Sequence, residues 1–126
     1  PQKRGCIINT GSIYGVVSGD MRLYAEGDRR TPEIYGASKA AVINLTKYFA
    51  AYMAPNVRVN CIAPGYLEGT RMSENLAEEY REAARLGAVL KKAADKDDIA
   101  DQVVTFCKTD TTTGQTLVID GGRLFH

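Results

Sequence analysis

Apolar and polar positions sort this chain into short β-type runs separated by stretches of helical period. Residues 5–10 (GCIINT), 57–62 (VRVNCI) and 116–120 (TLVID) are rich in β-branched side chains. Each is closed by Gly or Pro, at Gly11, Pro64-Gly65 and Gly121-Gly122, so each predicts a buried strand. Thr31-Pro32-Glu33 offers an N-cap followed by Pro at the first helical position. After it Ala37, Ala41, Leu45, Tyr48, Phe49 and Tyr52 recur at helical spacing until Pro55. Asp95, with Asp98 three residues on, opens a further helix through Ile99, Val103, Phe106 and Cys107. A shorter helix is expected over 73–85, carrying the charged run Glu78-Glu79-Tyr80-Arg81-Glu82. Strands alternating with helices predict an α/β fold whose parallel sheet is covered on its faces. Residues 18–33 form a long polar loop of both charge signs, to be read as a lid over a site or as a solvated insertion.

Composition narrows the function classes. A chain of 126 residues is one domain at most. Sixteen Lys+Arg against fifteen Asp+Glu leave a net charge of +1, unlike a dedicated nucleic-acid binder. The apolar runs are too short to span a bilayer. The start has a basic flank but no signal-peptide stretch, and without an initiating Met the chain is expected to be processed, trimmed or partial. Cys6, Cys61 and Cys107 are odd in number, far apart and set in apolar runs, and His126 is the one histidine. That pattern predicts free buried thiols in a cytoplasmic protein rather than a Cys/His metal site.

The chemistry centres on Tyr35-Gly36-Ala37-Ser38-Lys39. A Tyr and a Lys four apart on a helix emerge on one face within one turn. A cation held near a phenol favours the phenolate, which lets the tyrosine give or take a proton near neutral pH. Carbonyl reduction and alcohol oxidation both need such a group. Ser12 follows the first strand in a Gly-Ser turn, at the carboxyl edge where open α/β sheets place their ligands. A serine there is also a common turn hydroxyl. The second and third strands end at the same edge, in Pro64-Gly65 and Asp120-Gly121-Gly122.

In order and spacing, four blocks resemble the short-chain dehydrogenase/reductase family: the strand–Ser12 block, Tyr35-x-x-x-Lys39, RVNCIAPG and TGQTLVIDGG. The resemblance implies a partial doubly wound, Rossmann-like parallel sheet with helices on both faces. It implies Tyr35 as acid/base, Lys39 as the residue that tunes it and binds the nicotinamide ribose, and Ser12 as donor to the substrate oxygen. Pro64, Gly65 and Leu67 would line the nicotinamide of NAD or NADP, and Thr70 would stand near the cofactor phosphates. The Asp120-Gly121-Gly122 tail would be structural.

Two features depart from the family pattern. Ser12 and Tyr35 stand 23 residues apart, more than is usual, and one extra residue separates Pro64 from Thr70. The family's Gly-rich pyrophosphate turn has no counterpart either, since Gly11, Gly15 and Gly19 follow the strand that carries Ser12. Residues 1–126 are therefore expected to be the C-terminal part of one catalytic domain. The implied partners are a small carbonyl or alcohol substrate and, in the full-length protein, further copies of the same chain. Neither nucleic acid nor membrane is implied. The competing reading is a catalytically silent module that acts through self- or partner association.

Overall fold

A computed structural model describes residues 4–125. The basic flank at 1–3 and the histidine at 126 lie outside the described residues. Three parallel strands form the sheet: β1 (Gly5–Thr10), β2 (Val57–Pro64) and β3 (Thr116–Ile119). Their order is β1-β2-β3, with Gly5 opposite Val57 and Cys61 opposite Thr116. Helix α1 (Glu33–Tyr52) joins β1 to β2, while α2 (Glu78–Leu86) and α3 (Lys96–Lys108) lie between β2 and β3.

Successive side chains on a strand point to opposite faces. Ile7, Asn9 and Val59 share a surface with Val42 and Leu45 of α1 and with Met53 at its C-cap. Cys6 and Arg58, on the alternate positions, reach the carbonyl of Phe106 on α3. The sheet therefore carries a helix on each face, as expected of the α/β class.

The RVN segment of β2 shows why a charged residue sits in a central strand. Arg58 donates to the carbonyls of Phe106, Cys107 and Thr112, at 2.6, 3.1 and 3.2 Å. It satisfies the C-terminal carbonyls of α3, which have no intrahelical partner. Asn60 is fully buried, donating to the Thr112 carbonyl and accepting from the Gln115 amide at 2.8 and 3.0 Å. Both side chains pin the α3–β3 connection to the central strand.

Several boundaries differ from expectation, each for a local reason. Strand β2 runs two residues past Ile62, because Ala63 and Pro64 pair with Val118 and Ile119. Strand β3 stops at Ile119, because the Asp120 carboxylate turns back to accept from the amides of Gly122, Arg123 and Leu124. Helix α1 starts one residue late, with Pro32 itself at the cap, and the Thr31 hydroxyl meets that of Tyr24 at 2.7 Å. Helix α2 begins at Glu78 rather than at 73, because Ser73 is locked in a turn with Thr70. Asp95 does cap α3, accepting from Asp97 and Asp98.

Burial corrects one further expectation. Cys61 is buried and Cys6 half-buried, but Cys107 is exposed. On α1 the buried positions are Thr46 and Ala50. Tyr48, Phe49 and Tyr52 form an exposed aromatic stripe, Tyr52 at 73%.

Candidate active site

Strand β1 delivers its last residues to the carboxyl edge of the sheet, where Gly11 N–H donates to Ile62 at 2.7 Å. A Cβ on Gly11 would lie 2.8 Å from Cys61 Sγ and 3.3 Å from the Ile62 carbonyl, so a side chain there would press on β2. Ser12 follows, 8% exposed. Its Oγ accepts from the Tyr14 amide at 3.2 Å and caps a single 3₁₀ turn, Ile13–Gly15. The hydroxyl thus serves its turn while facing the cavity described below.

That turn rests on the first turns of α1 at backbone contact. A Cβ on Gly15 would stand 2.7 Å from the Lys39 carbonyl, and one on Gly36 would stand 3.0 Å from the Tyr14 carbonyl. Two glycines therefore set the separation between Ser12 and the helix that carries Tyr35 and Lys39. Lys39 reaches across, its Nζ donating to the Thr10 carbonyl at 3.0 Å and standing 5.8 Å from the centre of the Tyr35 ring. Strand end and helix are tied together by Thr10 and Lys39, which also line the site.

Strand β2 supplies the opposite wall. Gly65 N–H donates to the Ile119 carbonyl at 2.8 Å, and a Cβ there would come within 2.6 Å of Asp120 Cβ. Leu67 then bridges to Ala94. Thr70 and Ser73 close a compact turn: Thr70 N–H donates to Ser73 Oγ at 3.0 Å, and Ser73 N–H returns to Thr70 Oγ1 at 3.2 Å.

Between these walls lies a cavity of about 500 Å³. Ser12, Tyr35, Lys39, Pro64, Gly65, Leu67 and Thr70 all line it, so the fold brings every residue singled out from the sequence to one place. Ile13, Tyr14, Tyr66, Met72, Ser73 and Leu76 line it too, and sequence reasoning missed them. For Ser73 a signal existed in the Thr-x-x-Ser spacing at 70–73, which favours a side-chain-closed turn. The apolar members had none, because they come from three separate segments.

The 18–33 loop behaves differently from a charged lid. Asp20 caps a short 3₁₀ turn, Met21–Leu23, and is held at about 2 by hydrogen bonds from the Arg22 side chain and backbone. Glu26, Asp28, Arg29 and Arg30 are exposed, and of the whole loop only Thr31 lines the cavity. The loop is anchored by Tyr24, which packs with Tyr80 and Ala84 of α2.

Comparisons with known proteins show the family. A family model described as enoyl-(acyl carrier protein) reductase matches residues 2–123. The 3-oxoacyl-[acyl-carrier-protein] reductase FabG of Thermotoga maritima is 38% identical over 125 residues, covering 96% of this chain and 46% of that protein. The chain belongs to the short-chain dehydrogenase/reductase family. The family's 7alpha-hydroxysteroid dehydrogenase from Bacteroides fragilis is 34% identical, over 99% of this chain and 46% of that protein. A short-chain dehydrogenase from Leptospira borgpetersenii, solved with bound NAD+, superposes with a TM-score of 0.82 at 36% identity. That match covers 94% of this chain and 44% of the Leptospira chain. The chain thus spans about half the length of these family members.

Proposed function

We propose that this chain carries the catalytic side of an NAD(P)-dependent oxidoreductase that interconverts a carbonyl and an alcohol. The observation that carries the reading is the convergence of Ser12, Tyr35 and Lys39 from a strand end and a helix start onto one cavity. The donor set fits the nicotinamide end of the cofactor. A phenol, an ammonium and a hydroxyl stand on one side, and Pro64 and Leu67 supply an apolar surface on the other. When bound, the dinucleotide supplies or accepts the hydride.

Tyr35 gives its proton to the carbonyl oxygen in reduction and takes it back from the alcohol in oxidation. Ser12 donates a hydrogen bond to the same oxygen, offsetting the negative charge that develops there. Lys39, already fixed to Thr10, sets a positive charge beside the phenol and offers its remaining N–H donors to the ribose. Leu67 and Pro64 would pack against the nicotinamide, and Thr70 would stand toward the phosphates.

The pyrophosphate is assigned to chain beyond residues 1–126, which makes these residues the C-terminal part of a single catalytic domain. In support, Gly11 and Gly15 are used in packing against β2 and α1 rather than in a phosphate-holding turn. The exposed Tyr48, Phe49 and Tyr52 stripe is the face assigned to a second copy of the protein.

Calorimetric titration with NADH and NADPH tests the reading. A longer polypeptide that includes the upstream region should bind one of them, and the 126-residue chain alone should give no heat. Equal binding by the short chain would refute the domain assignment. No binding by either would refute the nicotinamide reading itself.

A further inference from the structure

Tyr35 sits in the first turn of α1, its amide donating to the Pro32 carbonyl, with its ring on the cavity wall. Among the described aromatic side chains the ring that meets it is Tyr14, edge-on, with centroids 6.4 Å apart and planes at 90°. That is a favoured aromatic geometry, with the positive edge of one ring directed at the face of the other. Tyr14 is itself fixed at both ends. Its main chain lies against Gly36, and its hydroxyl meets that of Tyr80 at 3.2 Å.

Tyr80 is 9% exposed and belongs to a cluster that joins α2 to the 18–33 loop. Its ring lies 5.0 Å from that of Tyr24, whose hydroxyl bonds Thr31, two residues before α1. A closed path results, from Tyr35 through Tyr14, Tyr80, Tyr24 and Thr31 back to the start of the helix that carries Tyr35.

We propose that Tyr14 is a positioning residue for Tyr35: the phenol–phenol hydrogen bond to Tyr80 holds the Tyr14 ring, and that ring holds Tyr35 in the orientation in which it meets the substrate oxygen. The inference rests on the reading of Tyr35 as acid/base. Burial pushes the Tyr14 and Tyr80 phenols up, so the pair stays protonated and hydrogen-bonded while Tyr35 exchanges its proton. The chemistry otherwise assigns no task to this pair, although Tyr14 lines the cavity and Tyr80 supports it from behind.

The test compares Tyr14→Phe, Tyr80→Phe and Tyr35→Phe with the parent in the whole protein. The probes are ethyl 3-oxobutanoate with NADPH or NADH, and a 7α-hydroxysteroid with NAD+ or NADP+. Tyr14→Phe keeps the ring and removes the bridge, so kcat should fall about 10-fold with KM within about twofold, as loss of orientation predicts. Tyr80→Phe should give the same loss, and the double variant no more than either single one. Fluorotyrosine NMR supplies a readout independent of turnover. The Tyr35 resonance, assigned by its absence in Tyr35→Phe, should shift or broaden in Tyr14→Phe and stay unchanged in the control Val104→Ala, an exposed position on α3.

An unchanged kcat and an unmoved Tyr35 resonance in Tyr14→Phe, with Tyr35→Phe inactive, would overturn the positioning role and leave the acid/base reading standing. A change in KM alone would overturn it as well. Full activity in Tyr35→Phe would overturn both readings together.

Discussion

The two walls of the cavity are built on different principles. The wall formed by Ser12–Gly15 and α1 is fixed by main chain, with Gly15 and Gly36 at backbone contact and Lys39 bonded to a strand carbonyl. The wall formed by residues 66–76 is held mainly through side chains: a bridge at Leu67, the Glu68–Arg85 pair, the Lys96 bond to the Gly69 carbonyl, Tyr66 and Leu76 packed on the Tyr24–Tyr80 cluster, and two hydroxyls, Thr70 and Ser73, that close their own turn. Met72 on it is 72% exposed. The first wall carries the groups assigned to proton transfer, where small misplacement is costly. The second shapes the space beside them, and its side chains can change without moving the first. On this contrast the chemistry should be sensitive to small insults on the α1 wall and tolerant of them on the other.

The largest expected effect tests that sensitivity directly. Lys39→Met keeps the length of the side chain but removes both the bond to Thr10 and the charge beside Tyr35. kcat/KM of the whole protein should fall roughly 10²- to 10³-fold, the range for losing one preorganised electrostatic group. Next comes Gly15→Ala, whose new methyl must displace the Lys39 backbone. A stability loss of roughly 1–3 kcal/mol is expected from such overpacking, measured by urea unfolding, with lowered kcat. On the second wall, Ser73→Ala removes a buried hydroxyl that serves Thr70. It should cost about 1 kcal/mol and appear mainly in KM. If Ser73→Ala lowered kcat more than Gly15→Ala did, the contrast between the walls would fail.

The smallest effect lies outside both walls, at Asp20. Its carboxyl is held at about 2, below the ordinary value of 3.8. A depressed carboxyl stabilises the fold above its unfolded pKa, and that contribution is lost as pH falls from about 4 through about 2. NMR titration of the Asp20 side chain should show the low midpoint. Asp20→Asn should leave stability at neutral pH almost unchanged, because the pair with Arg22 is solvated.

The same contrast accounts for what the sequence revealed. The α1 wall was legible because its parts are local: a strand that ends in Gly-Ser, and a Tyr and a Lys one turn apart. The RVNCIAPG block was legible too, although the reason for its Arg58 and Asn60 emerged only with α3 and β3 in place. The second wall was less legible. The helix expected from Ser73 was displaced to Glu78 by hydroxyl bonding, a local competition that apolar periodicity does not register. Tyr14, Tyr24, Tyr66 and Tyr80 gave no periodic signal because their meeting depends on tertiary packing. The charged loop was open to reading as a lid or as a solvated insertion, and its buried residue, Tyr24, is an aromatic that anchors it.

The central claim is that Tyr35 handles the proton in a nicotinamide-dependent carbonyl–alcohol exchange. The most direct measurement is single-turnover reduction of ethyl 3-oxobutanoate and single-turnover oxidation of a 7α-hydroxysteroid, by the whole protein and its Tyr35→Phe variant, with dinucleotide affinity measured alongside. The account predicts unchanged dinucleotide binding and a loss of turnover of roughly 10³-fold in the variant, within the range for removing a general acid/base. Turnover by Tyr35→Phe at the parent rate would contradict it.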